Sequence, residues 1–179
     1  MHNPFLIGEK IYLRAVEKGD AQVIALSENH PEPRQTLYFA LPTSVEHHQS
    51  RIEELKDDQK EIVFTIVQKD SDQPIGITAL FRIDWVSRMA IFYIAIAEKE
   101  NWSRGYGKET TRMMIDYAFE TLNLNRIQLH VSSENEAGLK AYQRVGFQIE
   151  GTLSQAMYHD NHYSDFYVMA ILQQDWHKC

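Results

Sequence analysis

The stretch Asn101-Trp102-Ser103-Arg104-Gly105-Tyr106-Gly107-Lys108-Glu109 lies between an apolar run that ends at Ala97 and a segment of helical period. From Gly107 onward, Thr110, Met113, Met114, Tyr117, Ala118 and Leu122 fall at the three-and-four spacing of one apolar helix stripe. A strand that passes into a helix through two glycines can cradle an anion. Lacking Cβ atoms, Gly105 and Gly107 let backbone N–H groups approach phosphate oxygens, and the helix start adds a favourable dipole. Arg104 and Lys108 add positive charge. The same glycines would also serve a plain strand-to-helix turn, so the stretch alone leaves both readings open. It lacks the longer glycine spacing and Lys-Ser/Thr pair of a nucleoside-triphosphate loop, and the three-glycine dinucleotide fingerprint.

Working outward, Lys10 to Val16 alternates with strand period, and Glu17 to Glu28 reads as a helix that Pro31 and Pro33 prevent from continuing. A second helix is expected over Val45 to Gln59, capped by Thr43 or Ser44, with Ile52 and Leu55 on its buried face. Glu61 to Gln68, Ile75 to Ile83 and Arg88 to Ala97 read as strands joined closely enough for an antiparallel meander. Beyond the central helix come a strand at Ile127 to Val131 and a helix from Glu136 to Arg144, capped by Asn135 and stopped by Gly146. Two last strands, Phe147 to Met157 and Tyr163 to Leu172, flank the turn His159-Asp160-Asn161-His162. The sum is a mixed α/β sheet with helices packed on it, read as one domain over residues 1–179.

Composition narrows the function. Apolar residues are 44% of the 179, enough for a sizeable core, and no apolar run is long enough for a membrane span. The only cysteine is Cys179, so an intramolecular disulfide and a multi-thiolate zinc site are excluded, and a cytoplasmic location is expected. With 18 basic against 25 acidic residues the net charge is −7, which disfavours nucleic-acid binding and suits attraction of cationic amines. A homodimer is compatible with this composition, and no stoichiometry follows from it.

A second segment decides between the two readings of the turn: Asn125-Arg126-Ile127-Gln128-Leu129-His130-Val131-Ser132-Ser133-Glu134-Asn135-Glu136-Ala137-Gly138-Leu139-Lys140-Ala141-Tyr142-Gln143-Arg144-Val145-Gly146-Phe147. Together the two segments resemble the GNAT N-acetyltransferases, in the branch of ribosomal-protein N-terminal and spermidine acetyltransferases. The resemblance runs from about Lys10 to Leu172. It implies the GNAT fold, a mostly antiparallel sheet with helices on both faces and one splayed parallel strand pair. It also implies acetyl-CoA as co-substrate, its pyrophosphate held by Trp102, Ser103, Arg104, Gly105, Tyr106, Gly107 and Lys108. Asn135 and the backbone of Ile94, Ala95 and Ile96 would hold the pantetheine arm, whose amides can partner strand groups left without a neighbour. Trp102 departs from the Gln or Arg common at that position, which weakens a side-chain role there and leaves the amide cradle intact.

By the same resemblance Tyr142 is the catalytic residue, donating a hydrogen bond or proton to the departing CoA sulfur. The acceptor must first lose a proton, because an alkylammonium has a reference pKa of about 10.4 and no free lone pair. Relatives often place Glu where this chain has Ile91, so His130, Glu134 or a water chain would replace it. The missing carboxylate also admits a rival of another class, a non-catalytic acyl-CoA-binding module. His159, Asp160, His162 and Asp165 include competent ligands, but three or four groups must converge and hairpin spacing alone does not ensure it, so no metal is expected. The hairpin reads instead as a polar turn, and the resemblance implies that it can line the acceptor channel. Glu53, Glu54, Asp57 and Asp58 read as solvated helix charge, and Glu28 and Glu32 as better acceptor-site candidates. The expected activity is direct acetyl transfer from acetyl-CoA to a primary amine, with a peptide or protein N-terminus ranked first and a polyamine or other small amine second.

Overall fold

The computed structural model describes residues 3–34, 37, 39–55 and 58–176; Asp57 and Cys179 lie outside them. The strands are β1 (Leu6–Ile7), β2 (Ile11–Ala15), β3 (Ile62–Gln68), β4 (Pro74–Asp84), β5 (Met89–Ile96), β6 (Arg126–Ser132), β7 (Gln148–His159) and β8 (His162–Leu172). They form one sheet in the order β1-β2-β3-β4-β5-β6-β8-β7, in which only β5 and β6 pair in parallel. The helices are α1 (Ala21–Asn29), α2 (Pro31–Arg34), α3 (Val45–Glu54), α4 (Tyr106–Asp116), α5 (Glu136–Val145) and α6 (Gln173–Trp176). This is the mixed sheet that the sequence predicts, with the parallel pair that the resemblance implies. Among the described residues no helix is long and apolar enough to cross a membrane.

Local chemistry sets the boundaries. Helix α1 ends at Asn29 because His30 precedes a proline and is extended (φ −70°, ψ 134°). Pro31 then opens α2, where its missing N–H and fixed φ do no harm, so the proline pair starts a new turn as well as ending the old one. Ser44 caps α3 by accepting from His47 N–H at 3.1 Å. Helix α3 stops at Glu54, short of the expected Gln59, and Asp58 folds the following turn by accepting from Lys60 N–H at 2.7 Å. Asn135 caps α5 through Gly138 N–H at 2.9 Å, and Gly146 ends it in the left-handed region at φ 112°.

The sheet's two faces carry different cores. On one, Ile11, Leu13, Phe64, Ile66, Phe92, Ile127 and Leu129 pack with Met114 and Ile115 of α4 and with Ala118 in the π-helical turn Tyr117–Thr121 that continues it. On the other, α1 and α3 contribute Ala21, Ile24 and Ile52 to a smaller cluster with Ile77 and Val16 at its edge. Asp20, 3% exposed, anchors this second layer. It takes a two-pronged grip from Arg14 (2.7 and 2.8 Å), the Glu17 N–H (2.8 Å) and the Thr65 hydroxyl (2.7 Å), joining β2, β3 and the start of α1.

Candidate active site

Strands β5 and β6 are paired only at Met89, Ala90 and Ile91 with Arg126, Ile127 and Gln128; beyond Ile91 they separate. The Ala97 N–H donates to Ile75 C=O at 2.9 Å. Because main-chain groups point alternately to the two edges of a strand, Ala95 also addresses β4, and Ile94 and Ile96 address the gap. The expectation of a backbone contact from Ala95 is therefore corrected: its amide and carbonyl are used by the neighbouring strand, and its side chain is buried. Ile96 C=O is also occupied, accepting from the Trp102 indole N–H at 3.1 Å. Ile94 N–H and C=O and Ile96 N–H remain to partner a ligand in the gap.

Trp102 thus has a side-chain task, tying the glycine turn to the end of β5. Tyr106 has a similar one: its phenol accepts from Gln68 Nε2 at 3.0 Å, fastening the first turn of α4 to β3. Ser103 and Gly105 take positive φ (57° and 91°), which turns the chain so that α4 begins against the gap. The first bond closing α4 runs from Glu109 N–H to Gly105 C=O at 3.0 Å, so the amides of Gly105, Tyr106, Gly107 and Lys108 have no acceptor within the helix. Arg104 and Lys108 are exposed beside them. Lys10 joins these cations through a bond from its Nζ to Arg104 C=O at 3.3 Å, a partner 94 positions away that no local pattern in the sequence announces.

Gly107 tests whether a ligand fits. Its φ is not positive, and a Cβ there would meet only Ile96 Cδ1 at an ordinary 3.8 Å. Neither backbone nor packing requires glycine, so what the missing Cβ leaves open is the approach to unbonded amides. These donors suit a diphosphate. Asn135 lies across the gap; its Oδ1 is used in capping, leaving Nδ2 as the group that can donate to an amide-bearing arm.

Tyr142, on α5, packs edge-on against Phe92 (centroids 6.4 Å) and Phe147 (6.0 Å). Burial pushes its phenol up to about 12, so it holds its proton at physiological pH. On the opposite face a cavity of about 370 Å³ opens between α1, α3 and the sheet. Its polar lining is Glu28, His47, His48, Arg51, Glu61 and the Tyr93 hydroxyl, set in an apolar wall that includes Ile24, Phe39, Ile52 and Phe81. Burial raises the Glu28 pKa and, with His47 and Arg51 nearby, lowers that of His48; the two side chains meet at 3.2 Å. Among the described residues the Tyr93 hydroxyl is buried without a hydrogen-bond partner, and its pKa is raised by burial, then by Glu28 and by Tyr142. Tyr93 thus lines the cavity from β5, the strand that also borders the gap. A second cavity of about 320 Å³ shares Phe39 and is walled by Arg34, Leu37, Met157, His159 and Asp160.

Of the acceptor candidates, the fold brings Glu28 into the cavity, while Glu32 is bound to Lys99 at 2.7 Å. Glu53 pairs with Lys18. Of the candidate bases, His130 is exposed beside Gln128 at 3.1 Å, and Glu134 is held by two histidines of the hairpin. Ile91 ends the paired part of β5. His48 and Tyr93 are additions: His48 lies four residues before Ile52 on α3, a spacing that marks it as facing inward.

A glycine cradle at a helix start, beside a splayed strand pair and a half-buried tyrosine, suits an acyl-CoA-dependent transferase. The acetyltransferase (GNAT) domain matches residues 10–148, and the chain belongs to that family. The spermidine N(1)-acetyltransferase of Vibrio cholerae is 30% identical over 95% of this chain and 97% of its own. The crystal structure of spermidine N-acetyltransferase from the same organism, in complex with CoA and spermine, superposes with a TM-score of 0.86 at 29% identity, covering 94% and 99% of the two chains. YdaF of Bacillus subtilis, a candidate ribosomal N-acetyltransferase, is 28% identical over 95% of each chain. This protein is an acetyl-CoA-dependent N-acetyltransferase.

Gly107→Ala is expected to fold at least as stably as the parent, alanine being the better helix former. It is expected to weaken acetyl-CoA binding by about tenfold to a hundredfold, the worth of one charge-assisted hydrogen bond. Calorimetric titration reads the affinity, and an unchanged value would remove the cradle from the binding site.

Proposed function

We propose that the acceptor is a small polyamine-like primary amine, seated in the cavity between α1, α3 and the sheet, with Glu28 as counter-charge to its ammonium. What carries this reading is the cavity itself: a slot of about 370 Å³ with apolar walls, the half-buried Glu28 carboxylate at one side, and Tyr93 of β5, whose hydroxyl is buried without a hydrogen-bond partner among the described residues. A slim cation can exchange hydration for that carboxylate and apolar walls. Further support comes from the net charge of −7 and from the spermine in the Vibrio cholerae neighbour.

Acetyl-CoA supplies an acetyl thioester at the gap. The Ile94 N–H and Ile96 N–H orient what lies there, Asn135 Nδ2 and the amides of residues 103–108 hold the carrier, and Tyr142 Oη keeps a proton for the sulfur. His48 receives the proton an ammonium must shed, with Glu28 3.2 Å away to balance the charge it gains; burial lowers the pKa of the imidazole, which is then neutral and able to accept. Net reaction converts amine and acetyl-CoA to acetamide and free CoA.

Thiol release measured with spermidine, a ribosomal-protein N-terminal peptide and an aminoglycoside tests the proposal. Spermidine is expected to give the highest kcat/KM, falling with ionic strength. Preference for the peptide would replace this reading with the N-terminal one that the YdaF likeness favours, and acetyl-CoA binding without turnover on any amine would favour the binding-module rival. Glu28→Gln is expected to raise the acceptor KM by about tenfold to a hundredfold, the worth of a hydrogen bond to a charged group, with acetyl-CoA KM unchanged.

A further inference from the structure

Away from both cavity and cradle, three chemically competent side chains converge from two separate elements. Glu134 lies in the loop between β6 and α5, and His159 and His162 flank the β7–β8 turn. His162 Nε2 stands 2.8 Å from Glu134 Oε1 and His159 Nε2 stands 3.0 Å from Oε2, with the two imidazole centroids 4.4 Å apart. One ligand atom from each of the three lies within 4.8 Å of the others. Ligands about 2.0–2.2 Å from a tetrahedral zinc ion stand about 3.3–3.6 Å from one another, so small side-chain rotations would seat such an ion.

Two further observations separate this cluster from an ordinary surface ion pair. Among the described residues His159 Nε2 is excluded from solvent and lacks an aligned hydrogen bond despite its nearness to Glu134, so a buried lone pair or proton is left unsatisfied there. Both Nδ1 atoms are also supported from behind by one residue: His159 Nδ1 lies 3.3 Å from the Asp160 carboxylate and His162 Nδ1 lies 3.5 Å from the Asp160 carbonyl. Acceptors on Nδ1 fix the tautomer whose Nε2 lone pair points at the ligand position, the arrangement that supports metal-bound histidine. Asp165, the other acid near the turn, is engaged elsewhere, accepting from Gln155 N–H at 2.8 Å.

We propose that Glu134, His159 and His162 bind a divalent transition-metal ion of the zinc class, with Asp160 orienting both imidazoles and a water completing the coordination. The hairpin spacing by itself implies no metal; the third ligand comes from a loop 25 residues earlier than His159, which only folding brings into reach. The bound ion ties the hairpin, whose His159 and Asp160 wall the second cavity, to the residue preceding Asn135 at the start of α5. It thereby fixes the spacing between the second cavity and Asn135. The site stands whether or not the polyamine reading does.

The test uses the whole protein, stripped with a chelator in thiol-free buffer and titrated with Zn²⁺, then with Co²⁺ as spectroscopic probe. One equivalent is expected to bind with micromolar or tighter affinity, with visible Co²⁺ bands of low coordination number and a raised melting midpoint. His162→Ala is expected to weaken binding at least about a hundredfold and Asp160→Asn about 10- to 100-fold, while His130→Gln leaves it unchanged. Circular dichroism of each variant separates loss of a ligand from loss of fold. Absence of binding at about 1 mM Zn²⁺, or full affinity in the His159→Ala, His162→Ala double variant, overturns the proposal.

Discussion

Tyr142→Phe is expected to lower kcat by about 10²- to 10⁴-fold, the usual contribution of a positioned proton donor, with acetyl-CoA affinity within about twofold of the parent. The substitution removes one oxygen and keeps the ring contacts with Phe92 and Phe147, so the melting midpoint is expected to stay unchanged. Burial alone raises this phenol to about 12. A phenol so weak as an acid stays protonated across the working range, so it serves as a donor and contributes no alkaline fall to the rate below about pH 11. The variant's pH profile should therefore keep its shape at a lower amplitude. Stopped-flow and steady-state thiol release read kcat, and calorimetry reads affinity. A variant that retains kcat within about threefold would transfer the donor role to another group, such as Tyr93.

Asp20→Asn is expected to destabilise the fold by about 3–5 kcal/mol, since it leaves the Arg14 guanidinium without its counter-charge in a buried setting. Burial by itself would raise the Asp20 pKa, but hydrogen bonds from Arg14, the Glu17 N–H and Thr65 outweigh it, and the net shift is downward. A carboxylate whose folded pKa is depressed contributes stability that is fully present above its unfolded value of about 3.9 and is lost as pH falls from there through the folded value. The parent should show that acid loss in urea denaturation, and the variant should show a flatter acid limb. The consequence reaches the site, because Asp20 anchors the start of α1, and α1 carries Glu28 to the cavity. A loss under about 1 kcal/mol would mean that the cluster relaxes without its charge.

Much of the frame is legible residue by residue. Period two in β2, the apolar runs of β3, β4 and β5 between turn residues, helical period from Gly107, the Asn135 cap and the Gly146 stop depend on interactions a few positions apart, which a linear pattern records. The misplaced ends have local causes too: Pro31 suits the first turn of a helix as well as the end of one, and Asp58 offers its carboxylate to Lys60 N–H, competing with further extension of α3. The two-residue β1 is too short to show a period and exists because β2 pairs with it.

The glycine turn, the helix it opens and Tyr142 two turns after Asn135 were determined by the chain itself, since backbone conformation and helical spacing are local properties. The rest was decided by contacts across tens of residues. Which edge of β5 faces the gap depends on its pairing with β4, and this separates Ile94 and Ile96 from Ala95. The meeting of Glu28, His48 and Tyr93 depends on α1 and α3 packing over the sheet, and that of Glu134 with His159 and His162 on β8 pairing with both β6 and β7. Side-chain charge and ligand chemistry act over a few ångströms of space, and only the packed fold sets which residues lie that near.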